Sequence, residues 1–238
     1  MALIKIITEV DDTVLVRKTL LTEIEELIPL MQHNKHAFAV IFSLLSPRNH
    51  NFNILGKYEH TPSHSECKKQ EEVRKAEIRK DLYPALLAHL KEQNLYHLLR
   101  NFINSKLVVA VYKALEEDGL KQELRKFISG TVGLFLSDLK DALKSNGFEN
   151  SLMAHPSANK ILKNILLLSY DWIDYYCGEV AQLASLNMPS FLRSKASFVV
   201  LALIEKGGRD DLLREVRRSK VPLEEAVGGE HYRALLRK

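Results

Sequence analysis

Ser194-Lys-Ala-Ser-Phe-Val-Val-Leu-Ala-Leu-Ile-Glu205 aligns without a gap with three earlier stretches of the chain. These are Asn34-Lys-His-Ala-Phe-Ala-Val-Ile-Phe-Ser-Leu-Leu45, Ser105-Lys-Leu-Val-Val-Ala-Val-Tyr-Lys-Ala-Leu-Glu116 and His155-Pro-Ser-Ala-Asn-Lys-Ile-Leu-Lys-Asn-Ile-Leu166. Each opens on a polar residue suited to cap a helix, carries Lys or Pro second, and has a smaller residue fourth: Ala37, Val108, Ala158 and Ser197. β-Branched residues or leucines follow three and four positions on. A small fourth residue lets neighbouring helices approach closely, and the branched pair buries against the next unit, which is how solenoid helices build a continuous core. A weaker fifth copy begins near Gly228. The fourth places lie 71, 50 and 39 residues apart, so the array carries insertions.

Outward from these segments, composition agrees with an all-helical chain. Of 238 residues 46% are hydrophobic and 27% charged, and only 10 are Gly and 7 Pro. That balance excludes disordered, collagen-like and turn-dense all-β chains. Lys and Arg exceed Asp and Glu by four, a mildly basic balance that permits a polyanionic partner without requiring one. The excess lies at the C-terminal end, from Phe191 to Lys238. Two cysteines, Cys67 and Cys177, make no disulfide framework and suit a reducing compartment. No apolar run approaches the roughly 18 residues of a membrane span.

Helical periodicity runs from Asp11 onward, as in Leu15, Leu20, Leu21, Ile24, Leu27, Ile28 and Met31. Breaks are expected at Pro29, Pro47, Gly119, Gly130, Gly147, Asn187 to Pro189, Gly207-Gly208 and Gly228-Gly229. The opening Met1-Ala-Leu-Ile-Lys-Ile-Ile7 lacks a cleavage site and a preceding cap, so it reads as the tail of a helix begun in a longer protein. Ser46 to Ser65 is polar, His-rich and holds two prolines, and reads as a loop or insertion. A charged helix follows, Glu66 to Asp81, with Glu71 to Lys75 an i, i+4 pair on its exposed side. The expected division is therefore 1–47, the end of one repeat and the next repeat; 48–65, the loop or insertion; and 66–238, the remaining repeats, continuous with the first part.

The repeat core resembles the RNA-facing helix of Pumilio (Puf) repeats. More closely, Asn34 to Arg48, then Lys68-Lys-Gln-Glu-Glu-Val-Arg-Lys-Ala-Glu-Ile-Arg79 and Leu82-Tyr-Pro-Ala-Leu-Leu87, resemble the Puf-A or Penguin class of Pumilio-like proteins with its CPL region. Val10-Asp-Asp-Thr13 and Ala154-His-Pro-Ser-Ala-Asn-Lys-Ile-Leu-Lys163 extend the likeness over nearly the whole chain. The resemblance implies a right-handed α-solenoid of Puf-like repeats with an inserted loop and extra helices. It implies a nucleolar or nuclear monomer that binds RNA, structured or pre-ribosomal, and double-stranded DNA with little sequence preference. It also implies work beside ribosome assembly factors in large-subunit assembly and pre-rRNA processing, without enzymatic activity or cofactor.

A base-reading Puf repeat uses two or three side chains per base. Here those positions hold Phe38, Ala39 and Phe42; Val109, Ala110 and Lys113; Asn159, Lys160 and Lys163; and Phe198, Val199 and Ala202. Bidentate readers are nearly absent, so a base code cannot operate. What remains suits phosphate contact: Lys35, Lys106, Lys113, Lys160, Lys163 and Lys195, with Asn159 as a neutral hydrogen-bonding partner. The pair Tyr175-Tyr176 with Trp172 could stack bases, but Trp172 falls three residues before Tyr175 on a helix that must pack in an array, and core packing is the expectation. His60, His64 and Cys67 have zinc-like spacing but lack a nearby fourth cysteine; His50 is the one further residue that could be recruited. No nucleophile elbow or Gly-rich phosphate loop occurs. The competing class is a HEAT or armadillo-like protein-interaction scaffold without direct RNA contact.

Overall fold

Several helices in this protein start where a side-chain oxygen or a proline stands ready, and three are followed within two residues by a left-handed one, Gly119, Asn146 or Lys220. The computed structural model describes residues 2–45, 69–207, 210–222 and 224–237. In chain order the α-helices are α1 (Ala2–Glu9), α2 (Thr13–Leu27), α3 (Lys35–Leu45), α4 (Glu71–His89), α5 (Glu92–Arg100), α6 (Ser105–Glu117) and α7 (Lys121–Lys144). They continue as α8 (Pro156–Leu166), α9 (Ile173–Leu186), α10 (Met188–Leu192), α11 (Ser197–Gly207), α12 (Asp210–Arg218) and α13 (Gly229–Leu236). Short 3-10 turns occupy Pro29–Gln32 and Phe148–Asn150, and no strand occurs among the described residues. None of these helices is long and apolar enough to cross a membrane.

The caps follow from sequence. Asp12 accepts a hydrogen bond from the Leu15 N–H at 2.9 Å to open α2, and Asn34 accepts from His36 and Ala37 at 2.9 and 3.2 Å to open α3. Gly119 adopts φ +72° after α6, and the Leu120 N–H closes back on the Leu115 carbonyl at 2.9 Å. Gly130 behaves otherwise than expected, because α7 runs straight through it and Gly133. An internal glycine costs about 1 kcal/mol against alanine. Burial of Val132, Phe135 and Leu139 along the same helix outweighs that cost. The charged helix also differs from expectation: it starts at Glu71 and continues beyond Asp81, through Pro84, to His89. The expected loop Ser46 to Ser65, and His50, His60, His64 and Cys67 with it, lie outside the described residues.

The chain divides into two units. One comprises 1–98 and 106–127; the other comprises 99–105 and 128–238.

In the first unit α2 and α4 run parallel. Thr13 donates to Glu77 and Arg17 to Asp81, both pairs 64 residues apart, and a constant difference is the mark of parallel helices. Asp11 pairs with Arg74 at 3.1 Å and Lys69 with Glu77 at 2.9 Å along the same seam. The Thr13 and Lys69 bonds hold the Glu77 carboxyl below its ordinary value. Glu71 and Lys75 do pair, at 2.7 Å, but they are buried rather than exposed. Arg79, 2% exposed, gives Nε to Asp118 at 2.8 Å and Nη1 to the Leu44 carbonyl at 3.0 Å, and Tyr83 donates its hydroxyl to Asp118 at 2.6 Å. Burial opposes the Arg79 charge, and Asp118 more than offsets it, so the guanidinium stays charged. Burial also raises the Tyr83 hydroxyl well above the usual phenol value.

In the second unit α8 packs along α11. Lys206, near the end of α11, donates to the Leu166 and Leu168 carbonyls at 2.8 and 3.0 Å and meets Asp174 at 3.3 Å. A cation there satisfies open carbonyls at the C-terminus of α8, where the helix dipole favours positive charge. Tyr232 on α13 donates to the Ser197 carbonyl at 2.8 Å. Gly228 precedes α13 at φ +84°, and a Cβ there would come within 3.1 Å of Leu201.

Asp118→Ala removes the partner of a buried guanidinium and should lower stability by about 3 kcal/mol. Arg218→Ala breaks an exposed 2.9 Å pair with Glu215 and should change stability by less than about 0.5 kcal/mol. Urea denaturation of both variants checks the contrast.

Candidate nucleic-acid interface

The four aligned segments all become helices, α3, α6, α8 and α11, the last starting three residues into its segment. Their fourth places are interior: Ala37 is 2% exposed, and Val108, Ala158 and Ser197 are each 0% exposed. The following pairs, Val40 and Ile41, Val111 and Tyr112, Ile161 and Leu162, Val200 and Leu201, are buried as well. One face of each helix is thus committed to packing, and any ligand must meet the remainder.

Half of the base-reading positions fall on the committed side. Phe38, Phe42, Ala110, Asn159, Val199 and Ala202 are buried, and Phe38 stacks on Phe42 with centroids 5.7 Å apart. For Asn159 the expectation of an outward-facing hydrogen-bonding partner is corrected. Its side chain is buried, donating from Nδ2 to the Met153 carbonyl at 3.0 Å. The aligned column carries that signal: its other members are Phe38, Val109 and Phe198.

The lysines reach the surface. In the first unit Lys35 opens α3 and Lys106 is the second residue of α6, both exposed, while Lys113 is half-buried two turns further along α6. In the second unit Lys160 is exposed and Lys163 half-buried on α8, and Lys195 is exposed just before α11, its ammonium 5.9 Å from the Phe198 ring centre. Half-burial suits Lys113 and Lys163, whose stems lie on the helix while the charge reaches water. Lys160 and Lys163 share one face of α8, and α8 packs on the helix that Lys195 precedes.

These helices have an electrostatic feature in common. None of α3, α6, α8 and α11 has an acidic residue in its first turn, a lack they share with α1, α2 and α10, whereas α4, α7, α9, α12 and α13 all have one. A helix N-terminus carries about half a positive charge and several unpaired N–H groups. A lysine added there is unfavourable for the helix and favourable for an anion. His155, directly before α8, is held below the ordinary histidine value by burial and then by the nearby Arg100 cation.

For the aromatic trio the expectation is the core, and the structure corrects this. Tyr175 is 68% exposed, and Trp172 and Tyr176 are half-buried, with Trp172 stacked on Tyr170 at 5.4 Å. The i, i+3 spacing of Trp172 and Tyr175 puts them on one side of a helix start. The buried side there is filled by Ile173 and Cys177.

Two comparisons with known proteins bear on this surface. The family described as CPL (NUC119) domain matches residues 33–169, more than half of the chain. Pumilio homolog 3 of Homo sapiens is 34% identical over 86 residues, a match taking in 35% of this chain and 13% of that protein. No solved structure matches the chain.

Asn159→Ala should cost about 1–3 kcal/mol of stability, the penalty of leaving the Met153 carbonyl unpaired. It should leave the salt dependence of RNA binding unchanged. His155 predicts a pH effect. Its proton is bound more readily in the unfolded chain, so its contribution is complete above 6.5 and is lost as the pH falls through the lower folded value. Urea denaturation at about pH 7 and about pH 5 should show His155→Asn narrowing the difference between the two.

Proposed function

The chain belongs to the CPL (NUC119) domain family, and on that footing we propose that it is a sequence-tolerant nucleic-acid-binding helical repeat. It holds RNA, structured or pre-ribosomal, by phosphates rather than by base edges. Its setting is the nucleolus or nucleus, in large-subunit ribosome assembly and pre-rRNA processing beside other assembly factors. Double-stranded DNA meets the same phosphate chemistry.

One observation carries this reading. Four aligned helices present N-termini without first-turn acids, and Lys35, Lys106 and Lys195 stand at three of those ends. Each arrangement works against its own helix and becomes favourable when an anion is held there. Lys113, Lys160 and Lys163 add charge further along the same helices. Burial of half the base-reading positions supports the absence of a code, since a side chain in the core cannot meet a base edge.

The repeat architecture, a right-handed α-solenoid, has support of a second kind. Lys206 reaches Leu166, 40 residues earlier, close to the 39-residue spacing of the aligned segments that become α8 and α11. Parallel packing of α2 and α4 is likewise what equivalent helices of successive repeats adopt.

Replacing Lys160 and Lys163 together with Ala should weaken binding to unrelated RNA sequences by similar factors. It should also flatten the slope of log affinity against log salt by about 1 to 2 units, roughly one for each phosphate no longer neutralised. Filter binding over a salt series measures both. Weaker binding to one sequence alone would mean base reading, unchanged binding would mean that RNA is held elsewhere on the chain, and no binding by the parent chain at all would favour the protein-interaction scaffold.

A further inference from the structure

Tyr170-Asp-Trp-Ile-Asp-Tyr-Tyr176 puts four aromatic rings and two carboxylates within seven residues, at the turn into α9. Ile173 is the member that enters the core. Tyr170 and Trp172 stack nearly flat, with 19° between their planes, and Tyr175 meets Tyr176 edge-on at 5.4 Å. Tyr175 keeps 68% of its surface in water. Asp171 is exposed, and Asp174 is 69% exposed although it pairs with Lys206.

The helix dipole accounts for acids at this position. It does not account for a tyrosine left exposed beside them, where a stacked Trp and Tyr already form an aromatic floor. Nor does this corner suit the phosphate binding proposed above, because two carboxylates repel a phosphate backbone. Aromatic faces and carboxylates together are complementary to a cation that is also flat. A guanidinium lies on an aromatic face and at the same time donates two parallel N–H bonds to a carboxylate, which an ammonium cannot match.

We propose that the corner formed by Trp172, Tyr175, Asp171 and Asp174 docks an arginine-bearing segment of a partner protein. The partner's guanidinium lies on the Tyr175 ring and pairs with Asp171, whose carboxylate has no ion pair among the described residues. Asp174 adds charge from beside Lys206. Lys206 already pairs with Asp174 at 3.3 Å, so Asp171 is the carboxylate that takes the guanidinium. The chain's net charge of +4 makes the selectivity local. An arginine-rich peptide is repelled by the protein as a whole and held only where acids and aromatics meet.

The chain has a single tryptophan, so the site carries its own reporter. Titrating the full chain with an oligo-arginine peptide should change Trp172 emission saturably. Tyr175→Ala should weaken that binding about three- to fivefold, Tyr175→Phe should retain it, and Asp171→Asn should weaken it and flatten its salt dependence. Tyr175 and Asp171 are exposed, so these variants leave the core intact. Unchanged Trp172 emission, or equal binding by Tyr175→Ala, would overturn the proposal. So would oligo-uridine RNA altering Trp172 emission and binding more tightly to Asp171→Asn, since the corner would then be a base-stacking platform.

Discussion

Arg79 is the interaction on which the first unit depends. Its guanidinium lies in the core, a placement that costs several kcal/mol unless charge and hydrogen bonds are both supplied. The chain supplies them from three places: Asp118 beyond α6, the Leu44 carbonyl at the end of α3, and Tyr83, which reaches the same carboxylate from α4 itself. Arg79 thereby holds the end of α3 and the corner after α6 against α4. Lysine would lose the paired Nε and Nη2 bonds to the two Asp118 oxygens, which only a planar fork supplies. The two lysine-bearing helices of that unit keep their placement because a buried arginine lies between them.

That fixes how charge is distributed in this protein. Lys75 is buried against Glu71, and Lys206 caps open carbonyls at the end of α8; both stabilise the element that carries them. Lys35 and Lys106 do the reverse, standing where the dipole disfavours them. A residue type that serves structure in two settings and opposes it in a third is doing different work in the third. Position relative to a helix end, rather than net charge, separates the lysines that hold the fold from those proposed to meet a ligand.

Helical spacing and caps make most elements legible: Asp12, Asn34, Gly119 and Pro156 mark boundaries by local chemistry that does not depend on distant contacts. Where tertiary burial decides, sequence alone misleads. Gly130 is a breaker by propensity, yet it lies mid-helix because the apolar face of α7 is buried around it. Glu71 and Lys75 have the spacing of a surface pair, but α1, α2 and α3 all pack on α4, and the pair is inside. Asn159 is polar and therefore reads as available; the core accepts it because the Met153 carbonyl needs a donor. Tyr175 departs in the opposite direction, since a helical fold does not bury every aromatic when a neighbouring isoleucine already fills the interior. For the candidate site, the lysines are legible by register, whereas the shared lack of first-turn acids becomes visible only once the helix starts are placed.

The second unit then presents opposite polarities along one short helix. Lys160 lies six residues before Leu166, about 9 Å along the axis of α8. The carboxylates of the α9 turn begin just past that end, where Lys206 ties Leu166 to Asp174. Screening at physiological ionic strength acts over about 8 Å, so attraction at Lys160 and repulsion near Asp174 are felt largely as separate fields. Lys163 lies between them and feels both. A nucleic-acid strand held in the proposed way is therefore directed toward the N-terminal ends of α8 and α11, with Lys160 and Lys195 contributing more than Lys163. The acidic, aromatic corner stays clear of phosphate. On the proposed reading no base code defines the limits of the surface, and a pair of exposed carboxylates would define one of them.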